Sequence, residues 1–304
     1  MSTSSEAMSQ PGGWASVPGE AQDLSDFTVR AATLEEWRQV TEWANGEGWN
    51  IGYHDAECFF AADPDGFFIG RVGDRPVAAV SLVNYSDDFA VWGHYLVDPA
   101  HRGKGYGSQT WRAATQHQGN RVSGGDAMPG MVPAYQLVGF IPIHDTIHYV
   151  GPLDRAGIPA EGVVRVGPEH LDAIAAYDRE RFPADRRGFL AKWLFADGHL
   201  ACARLRDGRV TGYGVIRPAP LAYRIGPLFA DTPQEAEALF ETLTAHVAPG
   251  DHVSVFAPDT QEASRPMFLA RGLDEQFRVV RMYRGPVPKT RAESIYAIGS
   301  LELG

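Results

Sequence analysis

Six consecutive residues, Arg102-Gly103-Lys104-Gly105-Tyr106-Gly107, have types and a spacing that could do chemistry. They follow the apolar run Val91–Val97 and precede a stretch, Ser108 to His117, that reads as a helix. Glycines let backbone N–H groups converge on one point, and a helix N-terminus adds partial positive charge there. Lys104 and Arg102 add full charges. A strand, a glycine-dense turn and a helix in that order make a cradle for a phosphate or pyrophosphate.

Three phosphate motifs compete for this string. A Walker A loop needs Ser or Thr directly after its lysine, and Lys104 is followed by Gly105. A dinucleotide fingerprint needs Gly-x-Gly-x-x-Gly, and the glycines here stand at 103, 105 and 107 with Ser108 following. The third pattern, Arg/Gln-x-x-Gly-x-Gly/Ala, is met by Arg102, Gly105 and Gly107. With Leu96-Val97-Asp98-Pro99-Ala100-His101 before it, and Tyr135-Gln136-Leu137-Val138-Gly139-Phe140 downstream, the chain resembles the GNAT acyltransferase superfamily. The resemblance implies that the loop from Arg102 to Ser108, with Gly103, Lys104, Gly105, Tyr106 and Gly107, holds the pyrophosphate of acetyl-CoA. It implies that the strand end at Leu96 and Val97 pairs with the pantetheine arm. The main chain there would also hold the thioester oxygen. No metal is expected.

The implied reaction is acetyl transfer from a thioester to the amine of a small molecule. It needs a proton acceptor, an oxyanion donor and a proton source for the leaving thiolate. Tyr135 is the candidate acid. His94, on the strand leading to the cradle, is the candidate base, because its ordinary pKa suits proton shuttling. A water-mediated base stays open. The resemblance places the acceptor pocket near Tyr53-His54-Asp55, and Tyr85 with Asp87 and Asp88 lies in another rim loop. Where GNAT proteins often carry Asn before the tyrosine, this chain has Met128. Asp126 reads as a structural turn residue. Two alternatives remain: an acyl-CoA-sensing module without chemistry, and a GNAT-fold enzyme using another acyl-CoA.

The elements that must position these residues occur twice. Gly73-Asp74-Arg75 and Asp207-Gly208-Arg209 are hairpin turns between apolar runs. Each half then enters a helix, Ser108 to His117 or Thr232 to His246. Pro133–Phe140 aligns with Pro266–Leu273. Thr33-Leu34-Glu35-Glu36 has capping-box form, and Gly167-Pro168 opens the matching helix. The expected fold class is α/β (α+β). It comprises two tandem GNAT folds, each a mixed, mostly antiparallel sheet flanked by helices. Residues 1–26 read as a disordered tail, 27–150 as the catalytic domain with the acetyl-CoA site and 162–304 as a degenerate copy.

The copies differ in chemistry. The second has Ala230-Asp231-Thr232-Pro233-Gln234-Glu235 in place of the cradle, and Phe268 in place of Tyr135. Asp231 is expected to cap the helix and repel pyrophosphate. The second copy would then support the first or wall its substrate cleft.

Composition bounds the partners. The chain has 304 residues, 44% of them hydrophobic and 21% charged, as in ordinary two-domain globular proteins. A net charge of −11 disfavours nucleic acid and anionic membrane, and weakly favours a cationic amine. Cys58 and Cys202 show no metal spacing and fit free thiols in a cytoplasmic protein. No apolar run spans a membrane. A monomer or homodimer is expected.

Overall fold

The computed structural model describes residues 26–304. All but the last residue of the segment read as a disordered tail lie outside the described residues. The first half runs β1 (Phe27–Ala31), α1 (Leu34–Gly46), α2 (Asp55–Ala62), β2 (Phe67–Val72), β3 (Arg75–Asn84), β4 (Phe89–Val97), α3 (Tyr106–Gln118), β5 (Val122–Ala127), α4 (Val132–Leu137) and β6 (Ile141–Pro152). The second repeats the order from β7 (Val163–Arg165): α5 (Leu171–Arg179), α6 (Arg187–Trp193), β8 (Leu200–Arg206), β9 (Arg209–Arg217), β10 (Tyr223–Ala230), α7 (Pro233–Leu243), β11 (His252–Pro258), α8 (Ser264–Leu269) and β12 (Asp274–Arg284). A short additional strand, β13 (Ile295–Ala297), follows.

Local chemistry sets the element ends. Thr33 caps α1 through a complete capping box: its hydroxyl accepts from the Glu36 amide, and the Glu36 carboxylate accepts from the Thr33 amide at 2.9 Å. The two hairpins turn at Gly73-Asp74 and at Asp207-Gly208, where Asp207 and Gly208 both hold positive φ (50° and 73°). A two-residue turn of that kind matches the twist of the flanking strands.

Among the described residues, thirteen strands form one sheet with the order β1-β2-β3-β4-β5-β12-β6-β11-β10-β9-β8-β7, and β13 pairs off this path with β10. The order reads the same from both ends once each strand is matched to its repeat. At the centre, β6 and β12 have changed places. β12 pairs with β5 of the first half, from Val280↔Ala127 to Arg284↔Ser123. β6 pairs with β11 of the second, from His252↔Pro152 to Pro258↔Thr146. The two exchanged strands pair antiparallel with each other. The two halves are therefore repeats in sequence but share one sheet.

The helical layer is shared as well. Trp37, Phe59 and Phe67 of the first half pack in one buried cluster with Phe189, Trp193 and Tyr213 of the second. Phe59 stacks on Trp193 at 6.3 Å and 16°. An ion pair lies within this seam: Arg217 Nε donates to Asp55 Oδ1 at 2.9 Å, both side chains fully buried. Burial pushes the Asp55 carboxyl up. Arg217 and His199 more than offset it and leave the carboxyl below its ordinary range. Arg217 also sits over the Trp193 ring at 4.3 Å. Replacing Arg217 with Met strands a buried carboxylate and should cost ~3–5 kcal/mol in urea unfolding. The double variant Asp55→Leu/Arg217→Met should recover part of that loss, because no unpaired charge remains.

Candidate active site

The cradle is built where β4 leaves its neighbour. β4 and β5 pair in parallel only from Phe89↔Val122 to Val91↔Gly124. Among the described residues the β5-facing edge of β4 has no partner strand beyond Val91, so main-chain groups from Trp92 to Val97 face an opening. A bulge re-aims this edge. Ser81 pairs with Gly93 and Ala79 with Leu96, so β4 spends one extra residue, and His94 takes φ +45°. The edge leads through a turn at Pro99–His101 to α3.

Gly105 is the N-cap of α3, in the left-handed region, and no side chain caps the helix. Gly103 is also left-handed, at φ +76°. A Cβ on Gly107 would run into the Tyr95 hydroxyl and Val97 Cγ2. The first-turn amides of α3 therefore have no side-chain acceptor, and the glycines keep the approach clear. These features fit a pyrophosphate held by backbone N–H groups, with a pantetheine arm along the free edge of β4. The side chains contribute differently from expectation. Arg102 is engaged within the protein, donating from Nε to Val97 O (3.0 Å) and from Nη2 to Glu47 (2.9 Å). Lys104 Nζ donates to Ala100 O at 2.9 Å. Tyr106 packs on Phe27 at 4.8 Å, and Ser108 hydrogen-bonds the Tyr95 phenol.

A cavity of about 880 Å³ opens from this edge. The first half lines it with the end of α1 and the loop that follows (Asn45–Asn50), the β4 segment Gly93–Val97, and Tyr135. Its opposite wall is one face of three neighbouring strands, with His148 from β6 of the first half and Ser254, Phe256 and Phe277 from β11 and β12 of the second, and Glu302 adds to it. Two candidate residues, His94 and Tyr135, thus share the cavity with Leu96 and Val97. His94 is buried among Trp37, Trp49 and Phe59 rings (5.1, 6.2 and 5.4 Å). Its Nδ1 lies 2.9 Å from Ser81 Oγ, and its Nε2 has no hydrogen-bond partner. Burial pushes the imidazole down to about 4, which keeps it neutral at physiological pH. Tyr135 is buried and packs on Trp92 at 4.4 Å, and burial pushes its phenol well above the ordinary range.

Three expected substrate residues are not brought to this cavity. Tyr53 is exposed, and His54 heads α2 at the seam between halves. Tyr85 is turned away: its hydroxyl donates to Leu303 O at 3.1 Å and its ring packs on Phe182. Asp126 does line the cavity, clamped by Arg281 at 3.0 and 2.6 Å. Sequence reasoning missed Trp49, His148, Ser254, Phe256, Phe277 and Glu302.

The second half repeats the cleft and fills it. β10 and β11 pair from Tyr223↔Val253 to Ile225↔Val255, then diverge, with a matching bulge between Ile225 and Leu228. The gap is taken by β13, which pairs with β10 at Leu228↔Ala297 and Phe229↔Ile295. Ile298 N then donates to Phe256 O across the gap at 2.9 Å. The helix cap corrects one expectation. Thr232, not Asp231, caps α7, accepting from the Glu235 amide at 3.3 Å. Asp231 instead accepts from the Tyr177 hydroxyl (3.0 Å) and Arg181 (2.7 Å), whose guanidinium draws the carboxylate away from the helix. Phe268 occupies the Tyr135 place, fully buried.

Binding calorimetry tests this asymmetry. Coenzyme A should bind at one site per chain. Gly105→Val, which forces a β-branched residue into the left-handed region, should weaken it by at least about 100-fold. Thr232→Ala should cost about 1 kcal/mol of stability and leave CoA affinity unchanged.

Comparison with known proteins agrees with this geometry. Residues 34–127 match the family model described as Acetyltransferase (GNAT) family, and residues 174–297 one described as Acetyltransferase (GNAT) domain. A holothin acyltransferase from Pseudoalteromonas sp. (strain SANK 73390) is 36% identical over 284 residues, 93% of this chain and 96% of that protein. A solved structure from Pyrococcus horikoshii superposes with TM-score 0.78 at 20% identity, covering 94% of this chain and 99% of its own. A tandem GNAT protein from the clavulanic acid biosynthesis pathway gives TM-score 0.58 at 16% identity, covering 86% and 99%. Among the described residues no helix is long and apolar enough to cross a membrane, and no cluster of metal-ligating side chains occurs. With both halves matched and a relative this similar along nearly its whole length, the chain belongs to the GNAT superfamily of acyltransferases, as a tandem member with a divergent second domain.

Proposed function

We propose that this chain is an N-acyltransferase that moves an acetyl group from acetyl-CoA to the amine of a small molecule. The observation that carries the reading is continuity: the free edge of β4 runs from the uncapped N-terminus of α3 into a cavity lined by His94 and Tyr135. Acetyl-CoA would supply the activated acyl group as a thioester. The amides on the free edge of β4, near Leu96 and Val97, donate to the carbonyl oxygen as negative charge develops there. With its Nδ1 hydrogen directed to Ser81 Oγ, His94 keeps a lone pair on Nε2 to take the proton from the attacking nitrogen. Tyr135, protonated because it is buried, gives its proton to the departing sulfur. The acceptor wall comes from β11 and β12 of the second half together with β6 of the first, which gives the second half a role without a cofactor of its own. The similar protein is named for acyl transfer to holothin, which makes holothin the first acceptor to assay.

Thiol release from acetyl-CoA in the presence of candidate amines tests the proposal. Tyr135→Phe keeps the ring packing and should lower kcat about 100-fold with CoA affinity unchanged. His94→Asn, a residue type that tolerates positive φ, should lower kcat by a similar ~100-fold. Thiol release that is amine-independent, or unaffected by both changes, would defeat the assignment.

The pH profile is a separate check. With an acceptor that stays neutral, the rate should hold down to about pH 5. It should halve near 4, where His94 takes a proton. Folding follows the same sign. His94 and His148 are held low in the fold, to about 4 and about 3, so the unfolded chain binds protons first and stability is lost as pH falls below about 6.5.

A further inference from the structure

Three carboxylates line the cavity, Glu47, Asp126 and Glu302, and each is matched by a guanidinium. Arg102 pairs with Glu47 at 2.9 Å, Arg281 with Asp126 at 2.6 Å and Arg224 with Glu302 at 3.3 Å. Each arginine is also anchored elsewhere or buried. Arg102 donates to Val97 O, Arg224 donates to Asn50 O at 3.1 Å, and Arg281 is buried. An alkylammonium ion entering here would lose its water and find no carboxylate free to pair with it. This is the opposite of what the acidic net charge of the chain suggested.

The proton acceptor agrees. His94 faces Glu302, Arg224 and Asp55 as its charged neighbours, and burial outweighs them and leaves it a weak base. Such a base is mismatched to an alkylamine, whose pKa lies near that of lysine and of which fewer than about one molecule in a thousand is neutral at pH 7.

The wall formed by β6, β11 and β12 is aromatic. His148 on β6 lies opposite Phe256 on β11 and Phe277 on β12, with ring centroids at 4.4 and 4.8 Å. Two polar atoms on this face, His148 Nδ1 and Ser254 Oγ, are buried with no hydrogen-bond partner. Trp49, from the first half, adds a further aromatic surface to the cavity.

We infer, on the basis of the acyl-transfer reading above, that the acceptor is a flat, conjugated amine of low basicity, uncharged at neutral pH. Its ring lies against His148, Phe256 and Phe277, with a polar ring edge toward Ser254 Oγ and His148 Nδ1. Acylation of such an amine forms a C–N bond and breaks the thioester C–S bond. The N–H proton leaves on His94 and the sulfur departs as thiol, so no further reactant is required.

The test uses the wild-type chain, saturating acetyl-CoA and three ring-sized amines: aniline, aminothiazole and cyclohexylamine. The two weakly basic amines should show kcat/KM at least about 100-fold above cyclohexylamine, independent of pH from about 6 to 9. Ser254→Ala should raise KM for aminothiazole about fivefold and leave that for aniline unchanged. Preference for cyclohexylamine, with kcat/KM rising tenfold per pH unit, would overturn the inferred acceptor class while leaving acyl transfer in place. Absence of transfer to any amine, holothin included, would overturn acyl transfer itself. The acceptor class is then read by calorimetry on the CoA complex. Binding of aniline without cyclohexylamine supports it, and binding of cyclohexylamine, or of neither, refutes it.

Discussion

The antiparallel pairing of β6 with β12 holds the rest of the molecule in place. Each strand belongs by sequence to one half and sits in the sheet of the other. β5 cannot be covered on its outer side without β12, and β11 cannot be covered without β6. Unpaired central strands would expose rows of N–H and C=O groups, so folding either half commits the chain to folding both. The same exchange builds the cavity. His148, Ser254, Phe256, Phe277 and Val279 stand on the face of three neighbouring strands, two of which have crossed over. The free edge of β4 and the aromatic wall of the cavity are thereby fixed by one continuous hydrogen-bonded sheet rather than by a flexible interface.

The clefts show how two copies of one scaffold diverge by small local changes. In the first, glycines and an uncapped helix leave backbone donors open. In the second, Thr232 satisfies the helix end and β13 satisfies the strand edge. The chain that fills the second cleft then continues to the first. The backbone of Glu302 lies so close to Gly93 that no side chain would fit there, and Gly93 adjoins His94 at the bulge. Gly226, at the second bulge, would carry a Cβ only 2.5 Å from Ile298 O and Gly299 O. One strap of chain thus packs against both bulges, and each needs a glycine to admit it.

Much of this was legible in the sequence because it is local. The cradle, the hairpin turns, the capping box at Thr33 and the Tyr135/Phe268 contrast depend on residues close together in the chain. The strand exchange was not legible, because the alternation of apolar residues in β6 and β12 reads the same whichever sheet receives them. The aromatic wall of the cavity was missed for the same reason: its residues are scattered from 148 to 302 and meet only through that exchange. Tyr53, His54 and Tyr85 were placed by analogy with an isolated domain. In this chain the second half packs against that side, and Phe182 and Leu303 cover Tyr85. Asp231 looked like a cap until Arg181, distant in sequence, competed for its carboxylate.

A strand order that reads alike from both ends has a consequence for how such a protein can change. It is the order that two identical chains would make by trading their sixth strands about a two-fold axis. In such a pair every substitution appears twice, so a residue that opens the cleft in one copy must be tolerated at the same place in the other. Joining the copies through the linker between Pro152 and Val163 lifts that obligation. One copy is free to keep the cradle and the other to fill its own cleft, while both keep the backbone pairing that holds them together.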